Sequence, residues 1–390
     1  MSHITTIGID TSKSSFALYG IDDKGNSCLK KTVNRKNFLP FFANLEKCIV
    51  ALEACGASHH WAREIEKLGH EVKIIPPQKV AAFRQVNKND ANDAKAIVQA
   101  ANCPGIEFVE VKSIDKQAIQ SLHRIRQRHV KNQTALVNEI RGLMSEFGIF
   151  IKQGINNARA MIPVMIHDKD SGLPAILGSS LADLHAELLN TTDAIGRIDK
   201  KLKEFSKDSD SCQKILAIEG IGIITATAII SEMPSPSRFK NGRQFAAWLG
   251  LVPKHRQTGG KNSKPVMLGI SKHGNTYLRT MLVQGGMSIA AQTRRKPKLE
   301  KIKSELESQQ NKPIEKISTS KKPLGNLPCK KREKVEPDIK KHKSQSKSDW
   351  LKRLIDEKGF QKAAVAYANK NARIIWSILR HGGEYQTQKA

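Results

Sequence analysis

Residues 4–27 read ITTIGIDTSKSSFALYGIDDKGNS, and this stretch decides how the first part of the chain folds. Ile4 to Ile9 is an apolar run closed by Asp10, and Phe16 to Ile21 follows after a short polar turn. The segment DDKGNS, with Gly25 at its tip, is a hairpin signal. Further on, CIVALE (48–53) is a third apolar run, ending at Glu53, and Val72 to Ile75 is a strand before Pro76-Pro77. Helical spacing places Phe38, Phe41, Phe42 and Leu45 on one face of a short helix over 37–47. His59 to Leu68 is amphipathic, and Ala91 to Ala101 reads as a helix. Hairpin-linked strands followed by strand–helix alternation predict a mixed α/β sheet over residues 1–110.

The 390 residues carry 65 Lys or Arg against 37 Asp or Glu, a formal net charge of +28. A neutral metabolite calls for no such field, whereas a polyanion releases counterions at each phosphate that a cation neutralises. The partner class this selects is nucleic acid. No 18-residue apolar run is present, and the first ten residues form a strand pattern, so neither a membrane span nor a secretory signal is expected. Six scattered cysteines without a C-x-x-C pair fit a reducing, cytoplasmic setting. No dinucleotide G-x-G-x-x-G follows a strand and no G-x-x-x-x-G-K-[ST] loop occurs, so ATP-driven mechanisms find no support.

Residues 113–150 hold no Pro, and Ile119, Leu122, Ile125, Leu136, Ile140, Leu143 and Phe147 recur at helical steps. This predicts a long helix with a coiled-coil-like seam, basic on its other face through Arg124, Arg126, Arg128, Lys131 and Arg141. A second helix spans about 180–205, so 111–210 is expected to form an antiparallel hairpin or to pair between subunits. Residues 211–290 read as a mostly helical region with Gly-rich loops, completed by 349–382. Between them, 294–347 has 18 Lys or Arg against 7 Asp or Glu, five Pro and no aromatic residue. Too little apolar area is available there to offset ordering entropy, so a disordered basic linker is expected.

Four carboxylates stand in suggestive places. Asp10 and Glu53 close apolar runs, and Asp90 and Asp93 lie three apart at the start of a helix, hence on one face. Taken singly, Asp10 reads as a turn-initiating residue and Asp90 as an N-cap, with Asp93 in a first turn favoured by the helix dipole. Taken jointly, the four would repel one another unless a divalent cation neutralises them, and oxygen-only ligands select Mg²⁺ or Mn²⁺. In a basic chain this points to phosphoryl transfer on nucleic acid.

The second region offers two features. ILAIEGIGIITATAIISEM (215–233) puts Gly220 and Gly222 between two helices, a helix-hairpin-helix pattern in which a phosphate can approach the backbone. Downstream, Lys254, His255, Arg256, Lys261, Lys264, Lys272, His273 and Arg279 surround Gly259, Gly260 and Gly274, a set suited to a nucleic-acid backbone. An ordinary helical hairpin and a solvated loop are the plain alternatives.

These residues also carry a resemblance. IGIDTSKSSFALYGID, ALEACGASHHWAREIEKLGHEVKIIPP and VNKNDANDAKAI are similar to the N-terminal domain of the DEDD-type insertion-sequence transposases of the family numbered one hundred and ten, with its eleven-eleven subgroup. The Piv-type DNA invertases are relatives. AAWLGLVP, TGGK, LGISKHGNTYLRTMLVQGG and AVAYANKNARIIWSIL resemble its C-terminal transposase domain. The resemblance implies an RNase H-like, RuvC-type N-terminal fold in which Asp10, Glu53, Asp90 and Asp93 are the metal-binding tetrad. It also implies a nucleophilic serine two residues before the Gly-Gly pair, a structured guide RNA, and assembly as a homodimer or homotetramer. At the serine position this sequence has Gln257, with Thr258 the nearest hydroxyl and Ser263 and Ser271 further candidates. Thr258 is the expected nucleophile. A hydrolytic junction nuclease and a catalytically degenerate nucleic-acid binder are the competing readings.

Overall fold

The computed structural model describes residues 3–84, 89–168, 172–256, 266–310 and 347–385, with side chains left undescribed at 175, 296–310, 347 and 348. The described residues fall into two compact units. One runs up to Ser121 and includes Ser231–Ser235; the other comprises Leu122–Ile230 and the residues from Pro236 on.

The first unit is built on a five-stranded mixed sheet. β1 (Thr6–Thr11), β2 (Ser15–Ile21) and β3 (Ser27–Asn34) form an antiparallel meander. The turn between β2 and β3 is closed by Asp22, whose carboxylate accepts the Lys24 and Asn26 N–H groups at 3.0 and 2.7 Å. After α1 (Phe38–Ala43), β4 (Ile49–Glu53) pairs parallel to β1, with Ile9 opposite Leu52. After α2 (Ser58–Lys67), β5 (Glu71–Ile75) pairs parallel to β4, so the order is β3-β2-β1-β4-β5. A turn of helix, α3 (Pro77–Val80), and a 3₁₀ turn (Ala81–Phe83) lead towards α4 (Asp90–Ala101). The predicted α/β sheet is present, with an order compatible with an RNase H-like domain.

Strand alternation divides the sheet between two cores. Ile7, Ile9, Val50 and Leu52 face α1 and α2, where Phe16, Phe38, Phe42 and Trp61 make an edge-packed aromatic cluster. The opposite face, with Ala51 and Ile75, is covered by Ala96, Ile97 and Ala100 of α4. Small residues let α4 come close. A Cβ on Gly8 would lie 2.4 Å from the Ala94 carbonyl oxygen, so the helix backbone rests directly on β1.

The second unit is helical apart from one hairpin. α5 (Ile114–Glu146) and α7 (Ala175–Asp208) are antiparallel within the chain: Gln133 Nε2 donates to Thr192 Oγ1 at 2.7 Å, and Arg126 pairs with Asp199 at 2.5 Å. α6 (Ile155–His167), which the sequence reading did not anticipate, packs into the same core through Ala158, Ile162 and Met165. α8 (Asp210–Leu216) and α9 (Ile223–Glu232) flank Gly220, and α10 (Gly242–Trp248) precedes an antiparallel pair, β6 (Pro253–Arg256) and β7 (Val266–Ile270). This hairpin too was absent from the helical expectation. α11 (Thr276–Gln310), α12 (Lys347–Lys358) and α13 (Phe360–His381) complete the unit. α11 continues to Gln310, so the opening of the expected basic linker is helix; residues 311–346 lie outside the described residues. Among the described residues no helix is long and apolar enough to cross a membrane.

Candidate active site

In the first unit, the alternation that buries Ile7 and Ile9 on one face puts Gly8 and Asp10 on the other. The same holds for Ala51 and Glu53 against Val50 and Leu52. Because Ile9 lies opposite Leu52 in a parallel pair, Asp10 and Glu53 emerge side by side at the C-terminal ends of neighbouring strands, facing α4. The contact permitted by Gly8 lays the first turns of α4 against β1, and Asp93, 8 % exposed, turns inwards there. Asp90 is exposed one turn earlier.

Of the plain alternatives for these acids, the first-turn position of Asp93 holds, while the N-cap role of Asp90 and the turn role of Asp10 do not. Asn89, not Asp90, caps α4, its side chain accepting the Asn92 N–H at 2.7 Å. The turn after β1 is closed by Ser12 and Ser15: the Ser15 N–H donates to Ser12 Oγ at 3.1 Å, leaving Asp10 no part in it. Burial, then the carboxylates of Asp93, Asp90 and Glu53, push the Asp10 carboxyl above its ordinary value. The three other acids are therefore near enough to act on Asp10 electrically.

Arg84 opposes that repulsion. Its Nη2 lies 2.7 Å from Glu53 Oε2 and its Nε 3.1 Å from Asp93 Oδ1, and it draws the Asp10 carboxyl back down. The sequence reading missed this residue, since nothing in its spacing marks it; the 3₁₀ turn Ala81–Phe83 delivers it to the corner. One guanidinium is paired with two of the four carboxylates and acts on a third, Asp10. The donor set, all oxygen, fits a hard divalent cation. As the side chains stand, Glu53 and Asp93 point at Arg84, and among the described residues no three His, Cys, Asp or Glu groups converge on a point that could hold an ion.

The second unit disperses the other candidates. Lys254, His255 and Arg256 lie exposed on β6, and Lys272 and His273 are exposed after β7. Arg279 is buried instead. Its guanidinium donates to the Leu249 carbonyl at 3.2 Å and to Thr276 Oγ1 at 3.1 Å, bracing the loop rather than facing solvent. Gly220 (φ 83°) is packed beneath α11: a Cβ on Gly285 would meet the Gly220 carbonyl oxygen at 2.0 Å. Gly222 has open space where a Cβ would stand. Gln257, Thr258, Gly259, Gly260, Lys261, Ser263 and Lys264 lie outside the described residues. Ser271 Oγ is buried, with no hydrogen-bond partner among the described residues. Of the basic face of α5, Arg124, Arg128 and Lys131 are exposed, while Arg126 is paired with Asp199.

Comparison with known proteins gives these features a context. Residues 7–149 match the IS110-type DEDD transposase family, and residues 212–302 match the family described as "Transposase IS116/IS110/IS902 family". The "Probable family 20 transposase" of Pseudomonas aeruginosa is 35 % identical over 378 residues, 97 % of each chain. The "Transposase for insertion sequence element IS1111A" of Coxiella burnetii is 34 % identical over 386 residues, covering 99 % of this chain and 92 % of its own. The "Transposase for insertion sequence element IS1328" of Yersinia enterocolitica is 37 % identical over 284 residues, 73 % and 83 % of the two chains. With both regions matched and relatives this similar from end to end, the chain belongs to the IS110/IS116/IS902 family of insertion-sequence transposases, enzymes that act by phosphoryl transfer on DNA.

Proposed function

We propose that the chain cuts and exchanges DNA strands at the ends of its element by phosphoryl transfer that depends on a divalent cation. The observation that carries this reading is the placement of Asp10 and Glu53 at the ends of two neighbouring parallel strands, beside Asp93 of α4, with Arg84 bridging Glu53 and Asp93. Asp10, Glu53, Asp90 and Asp93 hold Mg²⁺ or Mn²⁺ on an RNase H-like, RuvC-type scaffold. Such ions, when bound, stabilise charge on the attacking and leaving oxygens of an in-line displacement. Arg84 serves as the counter-charge of the corner, paired with Glu53 and Asp93, the carboxylates that would hold the cation together with Asp10 and Asp90. A polypeptide hydroxyl, Thr258 in this chain, gives its proton to a neighbouring base and attacks the DNA phosphate, forming a phosphate ester with the protein as the bond from phosphorus to one deoxyribose oxygen breaks and that oxygen leaves as the free strand end. The exposed cations at 254–256 and 272–273 hold the DNA backbone. α8 and α9 act as a helix-hairpin-helix in which Gly222, with open space beside it, admits a phosphate. A structured guide RNA, received in part by Arg124, Arg128 and Lys131, and assembly into dimers or tetramers through the helical middle complete the reading.

A covalent-trap assay tests it. Full-length protein, Mg²⁺ and the RNA transcribed beside the gene are mixed with labelled DNA carrying the element ends. Products are resolved on a denaturing gel and any adduct is mapped by mass spectrometry. An adduct on Thr258 is expected. An adduct on Ser263 or Ser271 moves the nucleophile and keeps the chemistry. Free nicks without an adduct would replace the hydroxyl by water and make the chain a hydrolytic nuclease. No product, with an active relative as control, would leave Gln257 as the mark of an inactive copy.

A further inference from the structure

An open groove of about 1400 Å³ runs between the outer face of α13, the start of α10 and the hairpin strand β7. Its walls are of two kinds. Arg243, Lys362, Lys370 and Arg373 supply positive charge, and no Asp or Glu is among the lining residues. None of the four is ion-paired with a carboxylate among the described residues. Lys370 lies over the Trp350 ring at 4.6 Å, and burial together with Arg373 holds its ammonium below the ordinary lysine value. Between the cations the surface is apolar and aromatic, with Trp350, Trp376 and Met267 among its lining. On β7, Val266, Met267 and Leu268 stand 61, 65 and 50 % exposed, an unusual display for a strand.

Charge selects the occupant. A second copy of this chain brings +28 to a positive groove. The chain's own residues 311–346 hold 11 Lys or Arg against 4 Asp or Glu and are of the same sign. A polyanion is the complement. The apolar lining then narrows the choice. Duplex phosphates are hydrated and keep their bases stacked away from a protein wall. A single strand offers unstacked π-faces to aromatic and apolar side chains while its phosphates meet the cations. We propose that this groove binds single-stranded DNA, the form into which strand exchange must bring its substrate. The inference rests on DNA as the substrate of the chain; it is independent of which hydroxyl attacks and of the carboxylate corner.

The test uses the full-length protein in EDTA, so that cleavage plays no part. Fluorescence anisotropy follows a labelled oligo(dT) of about twenty nucleotides, the matching duplex and oligo(U) over a range of salt. The probe variant is Lys362→Gln/Lys370→Gln/Arg373→Gln. Lys362→Gln/Arg373→Gln, two exposed positions, replaces it should the triple change unsettle Trp350. Binding of oligo(dT) is expected to fall at least tenfold. Its log–log salt slope should become shallower by about 2 for the triple variant and about 1.4 for the double, at about 0.7 for each phosphate no longer neutralised. Duplex binding should change less than threefold. An unchanged slope on oligo(dT), or equal weakening on single strand and duplex, would overturn the proposal. An effect confined to oligo(U) would overturn DNA as the occupant. Asp10→Asn run alongside should bind oligo(dT) as the parent does. If Asp10→Asn still cleaves in Mg²⁺, the carboxylate reading falls alone, and the groove is judged by its slope.

Discussion

The two units handle charge in opposite ways. In the first, three carboxylates share one corner, with Asp90 exposed a turn away: Asp10 and Glu53 are set by strand register, Asp93 by a helix packed backbone-to-backbone on β1 through Gly8. In the second, the cations are dispersed over β6, the β7 turn and the face of α13, exposed except for the half-buried Lys370 and without carboxylate partners in the groove. The contrast has a physical reason. Like charges brought together in a small space repel, so the gathering needs a rigid scaffold and a counter-ion, here Arg84. Cations that meet an extended polyanion gain nothing by convergence, since each neutralised phosphate contributes separately. Single changes should therefore act steeply in the first unit and gradually in the second.

The steepest effect belongs to Asp10→Asn. Replacing even an outer partner of a metal ligand lowers activity 10- to 100-fold, so loss of Asp10, proposed as a ligand itself, is expected to remove at least about a hundredfold of strand cleavage. The same variant should melt higher in EDTA. The raised carboxyl of Asp10 means that ionising it weakens the folded state as pH climbs from the unfolded-state value through the folded one, and the amide removes that penalty. A higher melting temperature than the parent's is expected at neutral pH, read by thermal melting. Lower stability in EDTA together with retained cleavage would dissolve the idea of a repulsive corner.

Next comes the scaffold. Gly8→Ala touches no charged group, but its Cβ would meet the Ala94 oxygen at 2.4 Å. Overpacking of this kind costs about 1–3 kcal/mol. The relief is for α4 to lift, which carries Asp93 away from Asp10, so cleavage should fall more than stability does. Val33→Ala, in the other core of the same sheet, is the control: it should lower the melting temperature and spare cleavage below that temperature. Equal loss of activity in both would make the corner insensitive to α4.

Arg84→Gln sharpens the comparison from the counter-ion side. Without its two ion pairs the EDTA form should melt lower, while Mn²⁺, no longer competing with a guanidinium, should bind severalfold more tightly and raise the melting temperature further than in the parent. Weaker Mn²⁺ binding would show that Arg84 positions the carboxylates rather than stands in for the cation.

How much of this was legible in the sequence follows from what each residue is held by. Four strands of the sheet were readable because a short apolar run is a local pattern, and Asp10 and Glu53 because they end such runs; β3, mostly exposed, showed only the turn before it. Arg84 was not, since its place depends on a turn and on two partners 31 and 9 residues away. Arg279 looked like one more cation of the loop, and spacing does not reveal that its guanidinium turns inwards to Leu249 and Thr276. The pair β6 and β7 escaped because its apolar residues are exposed, so no buried face marks it as strand. The helical start of the basic segment escaped because composition was weighed for core-forming capacity, whereas Lys, Glu, Leu and Gln at 298–310 are good helix formers.

The smallest effects should come from single neutralisations of the dispersed cations proposed to hold the DNA backbone. Lys254→Gln, Arg256→Gln and Lys272→Gln each remove one exposed charge and no described packing contact, so stability should stay within about 0.5 kcal/mol of the parent. Leaving one phosphate without its cation lowers the duplex salt slope by about 1 and weakens binding severalfold, uniformly across sequences. The three should add, because separated cations release counterions independently. Anisotropy titrations of the singles and the triple at several salt concentrations check both points. A single substitution that abolished binding, or strong non-additivity among the three, would mean that these cations act jointly on one phosphate, and the contrast between the two units would fail.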